Sequence, residues 1–300
     1  MYQGVYRGTF KHEPDLDEVL ARADAAGVRA IMITGTDVVE STKAVDMVAR
    51  GGGSAEDGRP ELYATVGVHP TRAGVFDDDG EGAVVERLRT LVVRGGDKVL
   101  AVGETGIDHN RAHFCPLEVQ AKYFETQIQL ARELDKPLFL HYRNDDAEPD
   151  SPFFSILAAH AGAIRGVVHS FTGSPSEIET IVGLGLYVGI NGCSLRTEAN
   201  CDAVRTIPLE RLLLETDAPW CDIRRTHHGY SHVVTHFEGA KKAKAFVRGS
   251  MVKSRNEPAT MRQVLEVVYG LRAAVDNLES IDAFAAIIYA NSERLLLGRP

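Results

Sequence analysis

Five short apolar runs in this 300-residue chain stop at a residue that binds metal ions or moves protons. They are VGVHP with His69, VGETG with Glu104, FLHYR with His141, VVHSF with His169 and LLLETDAPW with Asp217. Imidazole nitrogens and carboxylate oxygens together suit zinc, manganese, magnesium and other divalent ions. A single histidine closing a buried strand is ordinarily a satisfied core residue. Five different strands ending this way point to one shared mouth, because α/β barrels gather their functional groups at the C-terminal ends of the strands.

The elements that must position these groups follow from hydrophobic pattern. The stretches 28–35, 62–68, 99–104, 137–141, 166–170, 186–191 and 212–217 are rich in Val, Ile and Leu without polar alternation. That is the pattern of strands in a parallel sheet covered on both faces. Between them lie helical stretches: LDEVLARADAAG, which ends on a glycine stop, PLEVQAKYFETQIQLARELDK, and SPSEIETIVGLG, where Ser174 or Ser176 can cap the start. Repeated strand–helix units predict a TIM-type (β/α)8 barrel, with an open doubly wound sheet as the second choice. The pattern predicts a single domain, 1–300. Only seven strands are legible, and YQGVYRGTF is a poor eighth. The expectation is a barrel with its first strand missing and a gap between the strands at 28–35 and 212–217. The segments GGGSAEDGRP (51–60) and FDDDGEG (76–82) are expected to be mobile loops.

Composition is that of an ordinary globular protein, 44% hydrophobic and 25% charged, with a formal net charge of -9. That charge argues against a general electrostatic grip on nucleic acid but leaves room for a local basic patch or for metals. Cys115, Cys193, Cys201 and Cys221 form no CxxC pair, which argues against a zinc knuckle or a disulfide framework and for a reducing cytoplasm or nucleus. No apolar run is long enough for a membrane span, and MYQGVYRGTFKHEPDLDE has no signal-peptide core. No Ser-His-Asp or Cys-His arrangement is evident. Cys115, close to His113 in a loop before a helix, is expected on the surface.

The stretches AVGETGIDHNR, LFLHYRN, GVVHSFTG, GINGCS and LLLETDAPW, with VGVHP and RNEP, occur in order, most at strand ends. Together they resemble the TatD-type metal-dependent deoxyribonucleases, especially the eukaryotic branch, which are amidohydrolase-like barrels. The resemblance runs from about GVYRG to the C-terminus. It implies that Glu104 bridges two metals, that His141 and His169 hold one of them, and that Asp217 binds the other or the attacking water. The family's first strand, of the type D-x-G-x-N or D-x-H-x-H, has no match here. The expectation is a second metal that is weak or absent, while the site of Glu104, His141 and His169 survives.

Two divalent ions about 3.5–4 Å apart generate hydroxide and clamp the oxygens of a phosphoryl displacement, which removes the need for a protein nucleophile. Asp217 can also serve as general base. His69 is expected to touch a metal-holding side chain or the substrate rather than the ion itself. Asp108 can orient a ligand or cap the segment after it. Arg143 can contact a phosphate or make a salt bridge on the barrel rim. Glu215 shares a side with Asp217 by strand alternation and can buffer a ligand or pair with an arginine. Asn191 can hydrogen-bond at the mouth or stabilise a turn. From Asp222 to Glu257 the chain carries eight Lys or Arg (Arg224, Arg225, Lys241, Lys242, Lys244, Arg248, Lys253, Arg255) against three acids, with His227, His228, His232 and His236 among them. A basic segment leaving the metal mouth suits a polyanion track, DNA being the expected substrate; a solvated basic insertion is the plain alternative. Three functions stay open: a deoxyribonuclease, with 3′-5′ exonuclease action implied only by the resemblance; a hydrolase of an ester, amide or lactone; and an inactive barrel serving as a scaffold.

Overall fold

The computed structural model describes residues 1–50, 58–144, 151–237 and 242–299. Most of the expected loop at 51–60 and the candidate Lys241 therefore lie outside the described residues. The chain opens with a small antiparallel hairpin, β1 (Val5–Tyr6) and β2 (Thr9–Phe10), which pairs only with itself. Helix α1 (Leu16–Ala25) follows, then β3 (Ala30–Ile33), α2 (Val38–Ala49), β4 (Glu61–Val66), α3 (Val75–Asp78), α4 (Glu81–Gly95), β5 (Val99–Asp108) and α5 (Leu117–Glu133). The second half runs β6 (Leu138–Arg143), α6 (Pro152–Ala159), β7 (Gly166–His169), α7 (Pro175–Gly183), β8 (Tyr187–Ile190), α8 (Glu198–Thr206), β9 (Leu212–Leu214), α9 (Met261–Arg272) and α10 (Ile281–Leu296).

Strands β3 to β9 form one parallel sheet in sequence order. Among the described residues β3 and β9 are its two edges. The expected seven strands and the gap between the first and the last are both present, and YQGVYRGTF does not fill that gap. The edge shows in exposure: Ala30 is exposed and Ile31, Met32 and Ile33 are half-buried, whereas β6, β7 and β8 are almost entirely buried. Side chains alternate across the sheet as strand geometry requires. Met32, Ala101, Phe139, Val167, Tyr187 and Leu213 meet on one face, joined by Leu295 and Leu296 of α10. Their neighbours Val102, Leu138, Leu140, Val168, Val188 and Leu212 pack on the other face, against the helices.

Local chemistry explains the helix starts. Ser174 caps α7 with a full capping box to Glu177, which settles the choice between Ser174 and Ser176. The acidic stretch 76–82 is not a loop: it ends α3 and begins α4, with Phe76 fully buried against Tyr123. Its three consecutive aspartates masked that one apolar anchor. Helix α1 is tied down by ions rather than by a large apolar face. Arg255 donates to both oxygens of Asp15 at 2.7 and 2.5 Å and to Glu257 at 2.8 Å, while Arg22 grips Glu257 at 2.8 and 3.1 Å.

A candidate metal centre

Strand register brings the central groups together. In the pairing of β6 with β7, His141 stands beside His169, two residues beyond the inward pair Phe139 and Val167. Both imidazoles therefore point to the inner face, one layer above the core. Glu104 is reached differently. The β5–β6 register runs Gly103 to Phe139 and then Thr105 to Leu140, so Glu104 is an extra residue at a bulge. Strict alternation would turn its side chain away from the inner face, and a bulge re-aims it. Gly103 and Gly106 flank it with φ of 147° and 144°, where an L side chain is strained. A Cβ on Gly103 would also meet the Phe139 carbonyl oxygen at 2.3 Å.

The result is a buried convergence on one oxygen. His141 Nδ1 and His169 Nε2 each lie 2.7 Å from Glu104 Oε1, and His69 Nε2 lies 3.5 Å from it. Behind each of the two close imidazoles stands a second carboxylate. Asp108 Oδ2 is 3.2 Å from His141 Nε2, and Glu215 Oε1 is 3.5 Å from His169 Nδ1. A carboxylate behind a ligating imidazole fixes its tautomer and its aim. Asp108 can only accept, so it places a proton on His141 Nε2 and leaves Nδ1 as the ligand atom. Among the described residues two triads hold their ligand atoms within 4.8 Å of one another: Glu104, His141 and His169, and His69, Asp108 and His141. The second is the poorer cation site. The Thr71 amide donates to His69 Nδ1 at 3.1 Å, which leaves the ring proton on Nε2, facing the cluster. The first triad offers two imidazole nitrogens and a carboxylate, a donor set that fits a divalent ion.

Electrostatics agree with an appetite for positive charge. Burial pushes the Glu104 carboxyl up, but the charge of His169 and the hydrogen bonds from both histidines outweigh it and hold it well below the usual range. Burial alone would lower His169, yet the charges of Glu104 and Glu215 raise it well above its ordinary value. His141 moves up for the same reason, with burial opposed by Asp108 and Glu104. His69 goes the other way, down to about 3, through burial and then the neighbouring charge of His141. Burial raises Asp217 to about 6, with His169 opposing.

The remaining candidates fall in several places. Asp217 lies past the end of β9, at a φ of 49°, outside both triads but close enough to feel the charges of His169 and Glu104. The expected strand to residue 217 thus stops at Leu214. Asp108 does both of its expected jobs, orienting His141 and accepting from the Arg111 amide at 3.0 Å. Glu215 takes the Ser170 amide at 2.7 Å and the Asn191 amide group at 2.9 Å, and its charged neighbour is His169 rather than an arginine. Asn191 also caps the turn after β8. Arg143 hydrogen-bonds Thr172 and the Ser170 carbonyl. Arg224, Arg225, Lys242, Lys244 and Lys253 are exposed, but two members of the basic segment are spent on structure: Arg255 is buried and Arg248 pairs with Glu18 at 2.5 Å. Cys115 is buried beneath α5, not on the surface, because it closes against Phe76 and its neighbours.

Three groups escaped the sequence reading. Gln127 and Gln120, seven residues apart on the buried face of α5, clamp backbone at the mouth. Gln127 bonds both backbone groups of Val68, next to His69, at 2.7 and 3.0 Å, and Gln120 does the same for Asp108 at 2.8 and 3.2 Å. Cys193 and Cys221, 28 positions apart, meet with their sulfurs 3.0 Å from each other. Buried glutamine at an i, i+7 spacing is a legible sign of such a clamp; the cysteine pair leaves no mark in the order of residues.

The same architecture and motifs recur in known proteins. The family model described as TatD related DNase matches residues 8–297. Deoxyribonuclease Tat-D of Schizosaccharomyces pombe is 41% identical over 305 residues, covering 99% of this chain and 92% of that one. The 3'-5' ssDNA/RNA exonuclease TatD of Klebsiella pneumoniae is 38% identical over 221 residues, covering 72% of this chain and 77% of its own length. The crystal structure of a hydrolase TatD family protein from Entamoeba histolytica superposes with a TM-score of 0.87 at 29% identity, covering 99% of this chain and 94% of that one. With a family match running from the hairpin to the last helix, and a relative 41% identical over 99% of this chain, the chain belongs to the TatD related DNase family.

Proposed function

We propose that residues 1–300 act as one divalent-metal-dependent hydrolase that cleaves DNA phosphodiesters, working inward from a free 3′ end. The observation that carries the reading is the convergence of His141 and His169 on Glu104 across the adjacent strands β5, β6 and β7; His169 closes β7, while Glu104 stands at the bulge midway along β5, a strand that runs on to Asp108 rather than ending at 104. Family membership adds the reaction class, and the name of the bacterial relative adds the polarity. Glu104, His141 and His169 are the proposed ligands of one ion, with Asp217 contributing to a second; magnesium, manganese and zinc all suit these donors. A bound divalent ion supplies Lewis acidity and a water of lowered pKa.

The chain's own residues have definite parts in this scheme. Asp217, raised to about 6, is ionised near neutral pH yet basic enough to take a proton from attacking water. His69 stays neutral and presents an N–H to oxygens in the mouth. Asp108 and Glu215 hold the two ligating rings in place. The exposed Arg224, Arg225 and Lys242 offer phosphate contacts along the approach. No helix among the described residues is long and apolar enough to cross a membrane, and the four cysteines are free thiols. Both suit work on DNA in the cytoplasm or nucleus.

The test is digestion of single-stranded DNA labelled at either end, with metal content measured on the same sample. The expected result is bound divalent metal and mononucleotides released first from the 3′ end. Metal binding with hydrolysis of a nitrophenyl ester but not of DNA would move the reading to a carbonyl hydrolase of the same barrel. Absence of both metal and hydrolysis would leave a scaffold.

A further inference from the structure

Beside the metal cluster the fold assembles a pair of thiols that the proposed hydrolysis does not use. Cys193 sits in the turn that follows β8, and Cys221 lies four residues after Asp217. Their sulfurs are 3.0 Å apart, and both residues are half-buried, so a small molecule can reach them. The other two cysteines, Cys115 and Cys201, are buried in the core. The pair is held from both sides. Asn191 accepts from the Cys193 amide at 2.9 Å. The backbones touch at Gly192, where a Cβ would meet the Cys221 carbonyl oxygen at 2.0 Å. Cys193 donates to Cys221, and Cys221 donates to Asp217 Oδ2 at 3.1 Å, so of the two thiols it is Cys221 that touches the carboxylate.

We propose that Cys193 and Cys221 are an oxidation site, closed to a disulfide by a hydroperoxide, and that closing it removes the thiol hydrogen bond from Asp217. In the first step Cys193 Sγ attacks hydrogen peroxide; an S–O bond forms, the O–O bond breaks, and the departing hydroxide takes the thiol proton to leave as water. In the second, Cys221 Sγ attacks Cys193 Sγ; the S–S bond forms, the S–O bond breaks, and the second oxygen leaves as water with the Cys221 proton. The two sulfurs lose two electrons, and one peroxide becomes two waters. The hydrogen bond with Cys221, and after it the charges of Arg143 and Arg196, favour the anionic, nucleophilic form of Cys193 against burial and the charge of Asp217, and a neighbouring resolving thiol is what turns a sulfenic acid into a disulfide. Disulfide sulfurs sit about 2 Å apart, so only about 1 Å of side-chain movement closes the bond. Once closed, Cys221 has no hydrogen to donate, and Asp217 loses its held orientation.

The effect on cleavage rests on the hydrolase reading; the bond itself does not, and the experiment separates them. The full chain, loaded with magnesium, is treated with hydrogen peroxide, then denatured, alkylated and mapped. The expected result is a fall from four thiols to two, a disulfide-linked pair of peptides carrying residues 193 and 221, and return of both thiols with dithiothreitol. DNA cleavage falls by about tenfold, the scale of losing a partner behind an active-site carboxylate, and recovers with the thiols. Cys193→Ser keeps the reduced-state rate and melting temperature and loses the peroxide response. Four thiols remaining after peroxide, or a link through Cys115 or Cys201, overturns the site. A Cys193–Cys221 bond with cleavage unchanged overturns the control of Asp217. If the chain cleaves no DNA at all, the hydrolase reading fails while the mapped bond still decides the site.

Discussion

Two buried clusters of charge behave differently in the fold. One joins Asp15, Arg22, Arg255 and Glu257; the other joins Glu104, His141 and His169. In the first, two guanidiniums face two carboxylates. A guanidinium does not deprotonate in proteins, so the positive charge of this cluster is permanent, and its ion pairs tie α1 to the segment before α9. In the second, positive charge exists only if the imidazoles take protons, and their surroundings press them to do so. A divalent ion relieves that same pressure. Buried charge therefore marks a site only where its balance depends on something that comes and goes.

The comparison breaks most sharply at Glu104. Glu104→Gln is expected to cut DNA cleavage by about a thousandfold, about 4 kcal/mol of transition-state stabilisation, while circular dichroism stays that of the wild type. Wild-type turnover with full metal content would show that Glu104 is not the hub. Asp15→Ala should do the reverse. It leaves Arg255 buried beside one carboxylate in place of two, a change on the scale of about 3–5 kcal/mol, read by chemical denaturation. Metal bound per folded molecule should not change; a stable variant with lost metal would erase the distinction between the clusters. A smaller effect is expected at Asp108→Asn, about 10–100-fold in metal affinity by titration, because His141 loses the carboxylate that fixes its proton. Unchanged affinity would mean that the ring is held by packing alone.

The gentlest probe is pH. His141 and His169 are raised in the folded protein, so their contribution to stability is complete below the unfolded value of about 6.5 and is lost as pH climbs toward their folded values. Glu104 is lowered, so its contribution is present above its unfolded value of about 4.3 and is lost only as pH falls through its folded value. The metal-free chain should thus melt lower at about pH 8 than at about pH 6, and the rise in melting temperature on adding metal should be larger at the higher pH, because fewer protons must be displaced. An equal rise at both would place the metal elsewhere.

What the linear sequence determined was the set of local tendencies that carry their own pattern. Seven apolar runs became seven strands within a few residues, a serine caps α7 as expected although the fold chose Ser174 over Ser176, and the His and Glu that close apolar runs were visible because an abrupt polar residue after a buried run has few plain explanations. What only the tertiary structure decided was every relation with no period in the chain. The bulge that swings Glu104 to the inner face depends on a register with β6, and strict alternation read from sequence would place it wrongly. Arg255 looks like part of a basic track until Asp15, 240 positions away, folds onto it. Cys193 and Cys221 look unrelated until two loops at neighbouring strand ends press together at Gly192. Secondary structure and burial are short-range consequences of side-chain type. Pairing of charges, thiols and ligands is fixed only when strand register and loop packing bring distant residues within a few ångströms.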